Sequence, residues 1–178
     1  MEKMRLVRPT MNYEKELLAF RREFIESGDS MDGSSSLRRY ENIKDWLIML
    51  DKMEDPDTVP EGFVPATLFL YVREADQKVV GMIQIRRGLN DFLENYGGHI
   101  GYCVRPSERR KGYAKAMLQE TLVYCSQTLG LPFVLISCLE NNEASRRTIL
   151  SNGGKYINTV FWSERGVNLQ RYKIELEK

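Results

Sequence analysis

The amino-acid sequence predicts a single mixed α/β domain spanning residues 1–178, built on a central, mostly antiparallel sheet with about four helices around it. Stretches of strand and helix periodicity follow one another in the order β-α-α-β-β-β-α-β-α-β-β. A strand-helix-strand unit occupies residues 99–139, and hairpins lie on either side of it. Because a helical crossover favours a parallel strand pair and hairpins favour antiparallel pairs, the expected sheet is mixed.

The N-terminal third predicts one strand and two helices. Residues 4–8 alternate apolar and basic side chains, which is the period of a half-buried strand. Large apolar side chains recur at helical spacing over residues 11–27 and again over residues 37–53. Between the helices, residues 28–36 are polar and rich in serine and glycine, which indicates a flexible loop.

The middle of the chain predicts a hairpin, an insertion, a strand and the clearest helix. Two apolar runs, at residues 66–74 and 79–87, are separated by a short polar turn. Residues 88–98 are too many for a tight turn and have room for one helical turn. A core strand is expected at residues 99–104, and residues 112–129 carry an apolar helical stripe that ends at a Gly-Leu-Pro sequence.

The C-terminal third predicts a buried strand, a short helix and a closing hairpin. Residues 133–139 form a continuous apolar run, typical of a strand buried on both faces. A short helix over residues 142–150 is stopped by a Gly-Gly pair. Residues 155–162 and 168–176 are the closing strands around a polar turn.

Composition excludes several classes of protein. The net charge of +1 is too small for a protein whose whole surface binds nucleic acid or an anionic membrane, so neither partner is expected. The chain has a single histidine and no C-x-x-C spacing, which argues against a metal site and against a disulfide framework. Cys103, Cys125 and Cys138 are expected to be small buried side chains. No signal peptide or membrane-length apolar run is visible, which predicts a cytoplasmic location.

The most informative stretch is residues 99–115, HIGYCVRPSERRKGYAK. A strand ends at Val104, Pro106 cannot continue its ladder, and a long helix begins after Gly112. Five cations and one acid lie within residues 105–115. Free amides at a helix N-terminus, the positive end of the helix dipole and a glycine that permits close approach together predict a phosphate site.

Two motifs in this half of the chain resemble those of the GNAT superfamily of N-acetyltransferases. Arg109-x-x-Gly112-x-Ala114 matches its (Gln/Arg)-x-x-Gly-x-(Gly/Ala) signature, and Asn142-x-x-Ser145 resembles its second cofactor-side motif. The resemblance covers nearly the whole chain and implies the GNAT fold, whose sheet contains one splayed parallel strand pair. Residues 89–114 are also similar to a group of predicted bacterial acetyltransferases.

The resemblance implies acetyl-CoA as the co-substrate and assigns roles to the motif residues. The loop at residues 109–114 would cradle the pyrophosphate through its amides, and Cys103 and Val104 would pair with the pantetheine arm. Asn142 would hydrogen-bond that arm, and the Val104 amide would donate to the oxyanion. The implied cofactor-binding residues are Cys103, Val104, Arg109, Arg110, Lys111, Gly112, Tyr113, Ala114, Asn142 and Ser145.

The general acid of many family members, a tyrosine four residues after the serine, is replaced here by Ile149. Tyr156 on the next strand is our hypothesis for a substitute; Tyr113 is an alternative, and departure of the thiolate without an acid is another. For the base, His99 has a suitable ordinary pKa of about 6.5. Glu94 could instead act through a water molecule.

The function predicted from these residues is acetyl transfer from acetyl-CoA to a primary amine of a small molecule or peptide. Because Ile149 cannot donate a proton, a non-catalytic acyl-CoA-binding module stays open as an alternative. A nucleic-acid-binding domain that uses residues 105–115 is a third possibility, against which the near-neutral charge argues. The sequence identifies neither the acceptor, the acyl chain length nor the oligomeric state, although homodimers are common in the family.

Overall fold

A computed structural model describes residues 2–177 as seven strands and four α-helices. The strands are β1 (Met4–Val7), β2 (Ala66–Arg73), β3 (Lys78–Arg86), β4 (Ile100–Val104), β5 (Phe133–Leu139), β6 (Lys155–Trp162) and β7 (Val167–Glu175). The α-helices are α1 (Glu14–Ser27), α2 (Ile43–Glu54), α3 (Tyr113–Gln127) and α4 (Glu143–Leu150). Short 3-10 turns occupy Met11–Tyr13, Leu37–Arg39 and Pro106–Glu108, and a π turn occupies Leu93–Gly97. The predicted order of strands and helices is therefore confirmed.

The start of the second helix differs from the prediction. Instead of a continuous helix from Leu37, the chain makes a 3-10 turn and becomes extended at Tyr40. Asn42 then caps α2, since its Oδ1 accepts from the amides of Lys44 at 2.9 Å and Asp45 at 3.4 Å. This side-chain cap satisfies amides that a helix leaves unpaired, which sets the start of α2.

The strands form two antiparallel sheets, with the orders β1-β2-β3-β4 and β5-β7-β6. No ladder joins β4 to β5 within residues 2–177; the amide of His99 donates to the carbonyl of Leu135 at 2.7 Å, just before β4 begins. The predicted parallel pair, β4 and β5, is therefore a seam between two sheets. One hydrogen bond, from His99 to Leu135, joins the two sides just before β4, and no ladder bond joins the described residues of β4 to β5.

The helices cover opposite faces of the first sheet. Leu70 and Val72 of β2 pack with α1 and α2, whereas Tyr71 between them packs with α3 and α4. Phe20 of α1 and Met117 of α3 are fully buried in the two resulting cores. We call these surfaces of the sheets the α1–α2 face and the α3–α4 face.

The loop between α1 and α2 is pressed onto β4. Gly33 has a φ of +70°, and a Cβ added to it would lie 2.1 Å from the carbonyl oxygen of Gly101. Only glycine allows this approach and this backbone conformation. Gln84 of β3 donates to Ser35 Oγ at 2.7 Å, so the loop is held against the α1–α2 face beside the seam.

The three cysteines are buried and unpaired, as predicted. Burial raises the pKa of the Cys125 thiol to about 12 and that of Cys138 to about 11, which makes both poor nucleophiles. Across the helices in the described part of the chain, none has the length and apolarity required to cross a bilayer.

Candidate functional site

The loop between β4 and α3 has the geometry of an anion site. Arg110 and Gly112 adopt left-handed conformations, with φ of +62° and +83°. Successive amides in such alternating turns form a concavity that binds anions. Within residues 2–177 no side chain caps α3, and the first bond into the helix runs from the Ala116 amide to the Gly112 carbonyl. The amides of residues 110–115, which donate to no other described group, are therefore available to a phosphate.

The side chain of Arg109 fixes this loop to its surroundings. Its Nε donates to the Val104 carbonyl at 3.2 Å, and its Nη1 lies 2.7 Å from Asp29 Oδ2. The guanidinium also lies over the Phe24 ring, 5.8 Å from its centroid. Arg110, by contrast, is exposed and makes no ion pair among the described residues, so its charge is free for an anion.

A buried carboxylate supports the loop from below. Glu108 is 3% exposed, and its carboxylate is bound by Arg73 at 3.0 Å and by Lys78 and Lys111 at 2.7 Å. Burial alone would raise the pKa of this carboxyl, but hydrogen bonds from the three cations outweigh it and lower the pKa to about 2. The Tyr113 hydroxyl joins the same network, 3.1 Å from Arg73 Nη1, and so points away from the seam.

Arg105 is not part of the phosphate site, although the sequence placed it in the cationic stretch. It is 7% exposed and lies between α1 and the sheet. Its guanidinium pairs with Glu23 at 2.6 Å and Glu16 at 3.0 Å, both on α1. A buried charge requires such partners, and these two carboxylates neutralise the charge of Arg105 inside the protein.

The edge of β4 that faces the seam presents backbone amides. The Arg105 amide donates to the Val80 carbonyl of β3. The Arg86 amide of β3 donates in turn to the His99 carbonyl, so residues 99 and 105 both bond to β3. Since alternate residues of an antiparallel strand point to opposite edges, the amides of Tyr102 and Val104 face away from β3. They lie on the edge of β4 where the resemblance places the pantetheine arm.

One tyrosine of β4 bonds to the second cofactor motif. The Tyr102 hydroxyl lies 2.8 Å from Ser145 Oγ of α4, and Asn142 Oδ1 accepts from the Ser145 amide at 3.1 Å. Burial raises the pKa of Tyr102, although hydrogen bonds from Ser145 and Thr148 oppose it. Ile149, at the family's usual tyrosine position, is fully buried. Tyr102 was not singled out from the sequence. Because side chains alternate between the two faces of a strand, the sequence of β4 could have shown which face Tyr102 occupies.

His99 connects the two sheets. Its Nδ1 accepts from the Leu135 amide at 2.9 Å, and its ring makes an edge contact with Phe133. The side chain is 5% exposed, and burial together with the charge of Arg86 lowers its pKa. The nitrogen that would take up a proton is therefore already a hydrogen-bond acceptor, and protonation would break the bond to β5.

The remaining predicted catalytic groups lie farther from β4. Tyr156 is 55% exposed on β6, and its hydroxyl is 2.8 Å from Thr159 Oγ1. Strands β7 and β5 stand between it and β4. The side chain of Glu94 is exposed, while its carbonyl accepts from Arg171. The catalytic roles of His99, Tyr156 and Glu94 stay predictions.

We expect His99 to make stability depend on pH between about 7 and 5. Because its folded pKa lies below the unfolded value of about 6.5, the unfolded chain takes up the proton first, and stability falls as the pH falls through that range. His99 is the only histidine of the chain. Urea unfolding of His99→Gln should show that this slope of the unfolding free energy against pH is removed; equal slopes in both proteins would contradict the assignment.

The same variant tests the proposed base. An unchanged kcat/KM across pH in His99→Gln would exclude His99 as the base.

A sequence model described as the acetyltransferase (GNAT) domain matches residues 23–155. No curated protein is significantly similar in sequence to this chain.

Solved structures share the fold over nearly the whole chain. The microcin C7 self-immunity acetyltransferase MccE, in complex with acetyl-CoA and AMP, has a TM-score of 0.71 and 18% identity, covering 99% of this chain and 94% of that one. Ribosomal-protein-S5-alanine acetyltransferase from Vibrio fischeri has a TM-score of 0.69 and 14% identity, covering 98% and 93%. A spermidine N-acetyltransferase mutant from Vibrio cholerae has a TM-score of 0.63 and 14% identity, covering 97% and 94%.

Proposed function

Because the chain belongs to the acetyltransferase (GNAT) domain family, we propose that it transfers an acetyl group from acetyl-CoA to a primary amine of a small molecule or peptide. The observation that carries the proposal is the position of the phosphate-binding geometry. The amides of the loop before α3 lie directly after β4, whose free edge presents the amides of Tyr102 and Val104. A phosphate and an extended pantetheine arm could thus be held by one continuous piece of backbone.

The residues present fit coenzyme A. The pyrophosphate would bind the amides before Ala116, with Arg110 adding charge. The pantetheine arm would pair with the free edge of β4 and reach Asn142 at the start of α4. Acetyl-CoA supplies the thioester; the MccE structure, which has the same fold, was solved with that molecule.

The reaction proposed is direct attack of the amine on the thioester carbonyl. A C–N bond forms while the C–S bond breaks, and a backbone amide of β4 stabilises the developing oxyanion. The amine nitrogen loses a proton and the departing thiolate gains one. We propose the Tyr102 hydroxyl as the proton donor, because it bonds to Ser145 of the second cofactor motif and burial keeps it protonated at neutral pH.

The test is CoA release from acetyl-CoA against a panel of primary amines, with detection of the free thiol and mass spectrometry of the product. We expect amine-dependent CoA release and an N-acetylated product. Binding of acetyl-CoA without release by any amine would favour the non-catalytic acyl-CoA-binding module, the alternative that Ile149 supports. Reactions without amine give the rate of simple hydrolysis.

A further inference from the structure

An arginine without an acidic partner lies next to the proposed transfer site. Arg86 is the last residue of β3 and points to the α1–α2 face. Its Nη1 donates to the carbonyls of Gly97 and Gly98 at 3.1 and 3.2 Å, and its Nη2 to Gln84 Oε1 at 3.4 Å. These contacts use three of the five N–H groups of a guanidinium and leave the others free.

The charge of Arg86 is not neutralised by the protein. Among residues 2–177 no carboxylate lies within 4.0 Å of it, and Asp32, on the exposed loop after α1, acts on it only from farther away. Burial lowers its pKa, but an arginine stays protonated in proteins. A mostly buried cation normally has an anionic partner, as the more deeply buried Arg105 has in Glu16 and Glu23.

The guanidinium of Arg86 lies close to β4. A Cβ added to Gly101 would lie 3.5 Å from Arg86 Nη2, so the guanidinium lies over the backbone of Gly101. The next residue, Tyr102, turns its amide to the seam and its hydroxyl to Ser145. Arg86 and the Tyr102 side chain therefore lie on opposite faces of β4, one residue apart.

A second arginine without an acidic partner among the described residues lies on the other sheet. Arg171 of β7 pairs in register with Ser137 of β5 and alternates with the buried Tyr172, so it lies on the face of its sheet opposite α3 and α4. It donates to the Glu94 carbonyl and, at 3.2 Å, to Asn158 Oδ1. No ion pair neutralises it within the described residues. Two arginines without an ion pair among the described residues, one from each sheet, thus bind carbonyls of residues 94–98.

We propose that the acceptor is an amine that also carries a carboxylate, of the amino-acid class, and that Arg86 binds this carboxylate. The inference rests on the proposed acetyl transfer. A carboxylate can accept two parallel hydrogen bonds from a guanidinium, which fixes its orientation. An acceptor held by Arg86 on the α1–α2 face would direct its amine toward β4, where the thioester lies in the proposed complex.

The test compares L-amino acids with their carboxamides, which keep the amine and the side chain but lack the negative charge. With saturating acetyl-CoA, we expect kcat/KM to be at least about tenfold higher for the acids, as hydrogen bonds between charged groups are the strong ones. Arg86→Gln should remove this preference by lowering kcat/KM for the acids alone, and Arg86→Lys should restore part of it. Arg87→Gln is the matched control, because Arg87 already pairs with Glu54 at 2.6 Å.

Four results would overturn the inference. Equal use of acids and carboxamides by the wild-type enzyme excludes a carboxylate anchor, whatever the variants do. An equal loss for both classes in Arg86→Gln would mean that Arg86 only holds the carbonyls of residues 97 and 98. Turnover with amines that lack a carboxylate, and not with the acids, would refute the inference while the acetyl transfer stands. If no amine releases CoA, the proposed function fails and the inference fails with it.

Discussion

Replacing Tyr102 by phenylalanine is expected to lower kcat by about 10²- to 10⁴-fold, the range of general acid catalysis. The thiolate of CoA then departs without the hydroxyl that bonds to Ser145. Because Tyr102→Phe keeps the ring and the amide of β4, the KM for acetyl-CoA and the melting temperature should change little. Steady-state kinetics as a function of pH would also show loss of the alkaline limb of kcat.

Tyr156→Phe is the matched control. Tyr156 is exposed and bonds to Thr159 at the outer strand, so this variant should retain wild-type kcat if Tyr102 is the acid. A normal kcat in Tyr102→Phe together with a large loss in Tyr156→Phe would reverse the two roles. Normal rates in both variants would mean that the thiolate leaves without a dedicated acid.

Replacing Glu108 by glutamine is expected to destabilise the fold by about 3 kcal/mol or more, because it leaves buried cations without their counter-charge. Arg73, Lys78 and Lys111 converge on this one carboxylate. For a domain of this size the melting temperature should fall by roughly 6–12 °C. Differential scanning calorimetry at pH 7 measures it.

The control for Glu108 is Glu143→Gln. Glu143 also pairs with two cations, Arg146 and Arg147, but its side chain is 48% exposed, so its loss should move the melting temperature little. The effect at Glu108 depends on pH in a defined direction. With a folded pKa of about 2 and an unfolded value of about 4.3, its stabilisation is complete above the unfolded value and is lost as the pH falls toward 2. A gap between wild type and Glu108→Gln that persisted at pH 2 would contradict this account.

The sequence predicts the helices, the strands and the phosphate loop because each depends on nearby residues. Periodicity marks the strands, and Pro106 and Gly112 mark the break before α3. The start of α2 was predicted too early, because the apolar spacing of a helix continues back to residue 37. The cap at Asn42 sets the actual start. Trp162 joins Phe92 and Tyr96 in a surface group, because β6 is a mostly exposed outer strand.

The groups that support the chemistry could not be predicted because they depend on contacts between distant segments. Glu108 meets Arg73 and Lys78 only after the hairpin and the loop have folded together. The bond from Tyr102 to Ser145 likewise spans the seam and the whole of α3. A charged or hydroxyl side chain could bond to many other polar side chains of the chain. Only the folded structure determines which of them lies within hydrogen-bond distance.

Binding of acetyl-CoA by the loop before α3 is tested most directly by the melting temperature with acetyl-CoA and, separately, with ATP as a control anion. At a concentration near 100 times Kd, linkage gives about 2.7 kcal/mol of stabilisation. That corresponds to a rise of roughly 5–10 °C for a domain of this size. We expect this rise with acetyl-CoA and not with ATP. No shift with either ligand, or an equal shift with both, would mean that the loop is at most a general anion site, and the acetyl-transfer account would be contradicted.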